Sequence, residues 1–428
     1  MIATNLSFQA PIMMTMGDYL GTLAVVRACG KRNQPTLLAD SSTSTLTHNS
    51  RYLSKAFKSP PVEDFENFFR WLMIYGEQNP GAFLYPSSDD MTWLIARYRD
   101  DLSKYYKLYS PDVNVIYSLL NKPELHNIAE SLNIPVPKTI APTSVNELKA
   151  LADSLTYPVL IKPRTQIGML RRQKGQVCET PEKLIEIYPD YQKKFYYHPL
   201  LAEFDPDVIW PMVQSFHTSA GQNTYSMAGF VDESQEVFIT RASAKVLQFP
   251  IRVGVGLCFE SRPIDSKALE CLKAICKQVG YYGVFEAEFI VDGNQLLLMD
   301  FNPRFYGQMA FELARELPLD QLVLAYAHGN HSYGETVQQH DQTWDHDKIY
   351  RFSNQWRLWL ILTTQAMAGR FSWKERSKWL QWAEKFSVGC DPVYADDDPK
   401  PRQADIKCVA KSWIKYPRST FKTFFADL

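Results

Sequence analysis

The chain has no run of about 18 or more apolar residues, so the sequence predicts no membrane-spanning helix. Its first residues, "MIATNLSFQAPIMMTMGDYLG", lack the charged leader and continuous apolar stretch of a secretory signal. Seven cysteines are scattered without a Cys-x-x-Cys pair, which argues against a disulfide framework and fits a reducing, cytoplasmic setting. Charge of one sign is also missing. A formal net charge of −1 gives no global attraction to nucleic acid. The dispersed histidines show no metal-ligand spacing, and no Ser–His–Asp or Cys–His arrangement is evident. Gly17 and Gly21 do not make the dinucleotide fingerprint, so NAD is not expected.

What is present is an ordinary globular composition over 428 residues, 45% hydrophobic and 22% charged, enough for two or three domains. "PIMMTMGDYLGTLAVVRACGKRNQPTLLAD" reads as strand, turn, helix and strand, and the alternation continues to about residue 110. Such alternation predicts a parallel, Rossmann-like sheet. Ser87, Ser88 and Asp89 follow a strand and precede a helix, where they can cap the helix and also face a ligand. After about residue 115 the texture changes to α+β, with an antiparallel meander in "WPMVQSFHTSAGQNTYSMAGFVDESQEVFITRASAKVLQFP". The expected units are residues 1–115, 116–334 and a helical C-terminal region, 335–428.

The stretch "GVFEAEFIVDGNQLLLMDFNPRFYGQ" sets Glu288, Asp300 and Asn302 into an otherwise apolar strand pair. Buried carboxylates are costly unless a cation compensates them, and Mg²⁺ takes such hard oxygen donors. Opposed residues of a hairpin share a face, and a one-residue slip reverses every side chain. A tight two-residue turn alone would send Glu288 and Asp300 to opposite faces. Pairing them needs an odd-length loop centred on Asn294 or a bulge, and the odd loop is the expectation.

The ordered motifs "NIPVPKT", "YPVLIKP" and "EFIVDGNQLLLMDFNPRFYG" together resemble the ATP-grasp superfamily, in its carboxylate–amine ligase branch, over roughly residues 12–330. The resemblance implies ATP as nucleotide and Mg²⁺ (or Mn²⁺) held by Glu288, Asp300 and Asn302, with Asp300 standing where most members have Glu. It assigns Lys162 and Lys122 to phosphate contacts. Gly168 and Arg172 fall in the phosphate-covering loop, with Arg171 and Lys174 beside them. Gln214, Ser215 and Phe216 fall on the strand whose backbone meets adenine, and Glu203 and Gln222 are weaker nucleotide contacts. Arg304 would meet the transferred phosphoryl group, and Arg241, Lys245 and Arg252 would add phosphate or carboxylate contacts.

The function this implies joins a small carboxylate to an amine, both of amino-acid type, through an acyl phosphate. Its competitors are a carboxylase of the biotin carboxylase or purine type and a non-catalytic ATP-binding module. In "QADIKCVAKSWIKYPRSTFKTFF" an apolar stripe (Ile406, Val409, Ala410, Trp413, Ile414) runs beside lysines 407, 411 and 415. That stripe can pack on the body. Alternatively the helix lies on an anionic membrane with Trp413, Phe421, Phe424 and Phe425 as anchors. Three spaced lysines give little nucleic-acid affinity, so no nucleic-acid partner is expected; an oligomer is compatible with the sequence.

Overall fold

A computed structural model describes residues 10–171, 175–217, 224–249, 255–384 and 389–425. The chain begins with a four-stranded parallel sheet of β1 (Ile12–Met14), β2 (Thr36–Asp40), β3 (Lys55–Lys58) and β4 (Phe83–Leu84), ordered β3-β2-β1-β4. Strands β1 and β2 read as unbroken apolar runs because both of their faces are covered. Between β2 and β3 the connection carries only a 3-10 turn at Thr47–Asn49, so the helix–strand alternation expected from sequence is interrupted there.

Two further sheets follow. The smaller joins β5 (Thr139–Ile140), β6 (Val159–Lys162), β7 (Gln176–Cys178) and β8 (Met212–Ser215) in the order β5-β8-β6-β7, all antiparallel. The larger contains β9 (Thr224–Val231), β10 (Phe238–Phe249), β11 (Val255–Arg262), β12 (Gly283–Asp292) and β13 (Gln295–Asn302), plus β14 (Arg351–Ser353) and β15 (Gly389–Cys390). Its order is β13-β12-β9-β10-β11-β14-β15. Side chains alternate along a strand, and this sheet is apolar on both sides. Met227, Phe285, Ala287 and Phe301 enter one core, while Ala228, Phe230, Ile239 and Val284 enter the other.

The region after residue 335 is mainly helical, yet it also supplies β14 and β15 to the large sheet. It is fastened to the first helix, Leu20–Lys31, as well. Buried Asp398 accepts from Arg27 Nε at 2.9 Å, Ser50 Oγ at 2.7 Å and the Arg51 N–H at 3.0 Å. Charge-assisted bonds on both oxygens offset the desolvation of that carboxylate.

Candidate functional site

The hairpin β12–β13 closes with the two-residue turn Gly293–Asn294, Gly293 having φ +57°, so Asp292 opposes Gln295. The odd-length loop expected from sequence is therefore corrected. Continued without interruption, that register would set Glu288 against Met299 and turn Asp300 into the core beside Ala287. Instead the register shifts by one between Glu288 and Phe289, with Met299 as the extra residue. Glu288 then faces Asp300 and Glu286 faces Asn302.

The bulge is held from outside. His126, on the helix Lys122–Ser131, donates from Nε2 to the Met299 carbonyl at 3.3 Å. Its Nδ1 lies 3.0 Å from Thr139 Oγ1, which also accepts from Gln214 Nε2 at 3.0 Å. Burial, with Lys162 nearby, pushes His126 down to about 4 and keeps it neutral. Four residues earlier on the same helix face, Lys122 Nζ grips both oxygens of Asp300 at 2.7 and 2.8 Å. The Lys122 N–H donates to the Arg164 carbonyl at 2.9 Å, tying this helix start to the end of β6.

Electrostatics follow from crowding these groups. Burial and then the neighbouring Glu288 push Glu286 up to about 8. Burial also raises Glu288, against the pull of Lys245. Asp300 moves the other way: burial would raise it, but Lys122, Lys162 and Arg304 hold it below its usual value. Lys162, half-buried at the end of β6, is pushed down to about 7 by burial and by Lys122. Arg304 is raised despite burial because Asp89 pairs with it. Its guanidinium also donates to Asn302 Oδ1 at 3.1 Å, and the Asn302 amide nitrogen donates to Glu286 Oε2 at 2.7 Å.

Beside Asp300, Asn302, Lys122 and Arg304 opens a cleft of about 230 Å³, lined also by Tyr19, Ser88 and Asp89. It lies where the parallel sheet presents the carboxyl ends of β1 and β4, the usual ligand edge of such sheets. Ser88 caps the helix Asp89–Arg97, accepting the Met91 N–H at 3.1 Å, while Asp89 reaches Arg304.

Not every residue singled out from sequence arrives there. Arg241 shares the sheet face of Glu286 through Ala228, but its guanidinium turns away to Asp341 and sits 4.8 Å from the Trp344 ring centroid. It is a packing cation, not a cleft residue. Lys245 does come close enough to Glu288 to influence it. The Gly168 N–H is committed to Asp90 Oδ1 at 2.6 Å and its carbonyl to the His198 N–H at 2.7 Å, which leaves its backbone fastened to the first sheet's edge. Gln214 supports Thr139 with its side chain. The Ser215 and Phe216 N–H groups pair with the Lys138 and Pro158 carbonyls. Arg172, Lys174, Gln222 and Arg252 lie outside the described residues. Sequence reasoning passed over Glu286, although "FEAEF" puts it two residues before Glu288, hence on the same strand face. Tyr19, whose hydroxyl is raised by burial beside Arg304, carried no such signal.

The oxygen donors fit a hard divalent ion: two carboxylates raised by burial, a third held ionised, and an amide oxygen lie around one strand pair. No family model matches the chain. It is similar to the D-aspartate ligase of Enterococcus faecium, 22% identical over 248 residues, which is 55% of this chain and 56% of that protein. The chain thus spans about half the length of that curated relative. Among solved structures, it resembles the biotin carboxylase domain of the Hydrogenobacter thermophilus 2-oxoglutarate carboxylase, which holds MgADP. The TM-score is 0.58 at 16% identity, over 74% of this chain and 69% of that one. It also resembles the L-amino acid ligase of Bacillus licheniformis, with a TM-score of 0.56 at 12% identity, over 77% and 78% of the chains.

Proposed function

On the ATP-grasp fold that these likenesses establish, we propose that the chain is an ATP-dependent carboxylate–amine ligase. The observation that carries the reading is the bulge-set pairing of Glu288 with Asp300, whose carboxylate lines a cleft with Lys122 and Arg304 and feels the charge of Lys162. Glu288, Asp300 and Asn302, with Glu286, would hold Mg²⁺, which when bound neutralises charge on the phosphate oxygens.

The chain's own groups do the rest. Lys162 and Lys122 present ammonium groups to the phosphates, and Lys162 regains its proton as the triphosphate's negative charge arrives. Arg304 exchanges Asp89 for the phosphoryl group in transfer, its planar fork matching two oxygens at once. A substrate carboxylate held beside it attacks the γ-phosphorus, ADP leaves, and an acyl phosphate remains. An amine then attacks the acyl carbon. The tetrahedral centre collapses to an amide as phosphate departs, and the amine gives up a proton. Substrates of amino-acid type suit a cleft whose lining offers Arg304 for a carboxylate and Asp89, once released, for an ammonium group.

ADP release measured against a panel of amino acids, alone and in pairs, tests this. Hydroxylamine added to the same reactions should trap a hydroxamate. Tight ATP binding without turnover on any pair would sink the ligase reading, and ADP release that needs bicarbonate would replace it with the carboxylase one.

A further inference from the structure

We infer that the helices Lys400–Lys415 and Pro417–Phe425 form a face that docks on an anionic membrane surface. This inference stands apart from the ligase chemistry. Along the first helix, Lys400, Lys407, Lys411 and Ile414 fall at i, i+7, i+11 and i+14, a single stripe. All four are exposed, and Ile414 is 83% exposed, which is unusual for so large an apolar side chain on a packed helix. Just beyond it, Tyr416 and Phe421 are also more than half exposed.

The sequence predicts a continuous apolar stripe with Trp413, Phe421, Phe424 and Phe425 as anchors. Structure divides that stripe. Val409 is buried, and Trp413 stacks on Phe424 with ring centroids 5.9 Å apart, so these residues serve internal packing. Ile414 and Tyr416 are left exposed, and Phe421, stacked on Phe425 with ring centroids 4.7 Å apart, keeps its other side open.

Charge supports the same occupant. A groove of about 780 Å³ runs between this helix and the segment 44–49, and Lys400, Lys407, Lys411 and Lys415 line it. Its two acids are engaged: Asp405 holds Arg357, and Asp18 accepts the Leu46 N–H at 2.8 Å. Among the described residues none of the four lysines has an acidic partner. Like charges at i, i+4 repel, and anionic headgroups would relieve that repulsion. Nucleic acid would satisfy the lysines but give nothing to the exposed Ile414 and Phe421. A lipid surface satisfies both sets, with the bases at headgroup level and the apolar groups below them.

The test is flotation of the full chain with vesicles of phosphatidylcholine alone and of phosphatidylcholine mixed with phosphatidylglycerol. Binding is expected only to the mixed vesicles and should weaken with salt. The double variant Lys407→Glu/Lys411→Glu should reduce partitioning about thirtyfold or more, given about 1 kcal/mol for each basic residue at such a surface. Ile414→Asn, with every charge retained, should reduce it about tenfold. Both variants alter exposed positions, and unchanged melting curves would confirm that they fold. Equal binding to neutral vesicles, undiminished binding by either variant, or retention on duplex DNA without vesicle binding would each overturn the inference.

Discussion

Replacing Glu286 with glutamine isolates the acid that the cleft perturbs most clearly. A carboxyl group ordinarily titrates at about 4.3, whereas burial beside Glu288 pushes Glu286 up to about 8. Between those values the folded chain keeps a proton that the unfolded chain has released. Each pH unit in that window therefore lowers stability by about 1.4 kcal/mol. From about pH 5.5 to about pH 7.5 the loss approaches 3 kcal/mol. Lys162 acts in the opposite direction above about pH 7, because there the unfolded chain holds the extra proton. Neutral His126 adds a rise of its own between about 4 and its ordinary value. Subtracting wild type from Glu286→Gln cancels both. Measured by urea unfolding in EDTA, the variant should gain about 3 kcal/mol relative to wild type across that interval. A difference that stays constant with pH would refute the reasoning, since Glu286 would then carry no displaced proton.

Binding of Mg²⁺ with nucleotide near pH 7 should release about one proton from Glu286 while Lys162 takes up about half of one, a net release of about half a proton, seen by calorimetry in two buffers of different ionisation enthalpy. Lys122→Met strips Asp300 of its bidentate partner and should cost about 2 kcal/mol. Asp300's folded value is lowered, so its contribution is lost as pH falls through that value, and the variant should acid-unfold at higher pH than wild type. Arg304→Lys keeps the charge but loses the fork. ADP release should fall about a hundredfold while nucleotide affinity changes less than about threefold. Arg241→Met should destabilise by about 3 kcal/mol, because it leaves Asp341 unpaired, yet keep the nucleotide affinity of the folded chain.

The residue types of this cleft were more legible than their partners. An acid in an apolar strand is conspicuous, so Glu288 and Asp300 announced themselves, and a lysine ending the run "PVLIK" did likewise. Glu286 was equally visible but lacked a reason to be singled out until Asn302 was seen opposite it. The turn was misjudged because "DGNQ" permits both a two-residue turn and a longer loop. What decides is the docking of His126 on Met299, a contact between positions 173 residues apart that no local pattern encodes. Arg241 misled for the converse reason. Strand periodicity fixes the face on which a side chain starts, while a long flexible arginine ends wherever an acid awaits it, here Asp341. Likewise, the C-terminal helices announced their amphipathicity, but which half of the stripe faces the body depends on Phe424 finding Trp413.

One consequence of the charge arrangement reaches beyond any single residue. Lys122, Lys162, Lys245 and Arg304 stand against Asp89, Glu288 and Asp300, with Glu286 keeping its proton near neutral pH, and the strongest pairs, Lys122 with Asp300 and Arg304 with Asp89, already satisfy one another. Without ligand the cleft is close to electrically self-contained, which spares the fold the cost of unpaired buried ions. On the proposed ligase reading, a triphosphate arriving with its divalent ion would bring both signs at once. It offers the cations new oxygens and the acids a new cation, so each internal pair can dissolve without stranding either member. Nucleotide alone would relieve the lysines while leaving three acids crowded on one strand pair, and metal alone would do the reverse. The geometry therefore favours joint entry of the two, and binding of either should strengthen binding of the other.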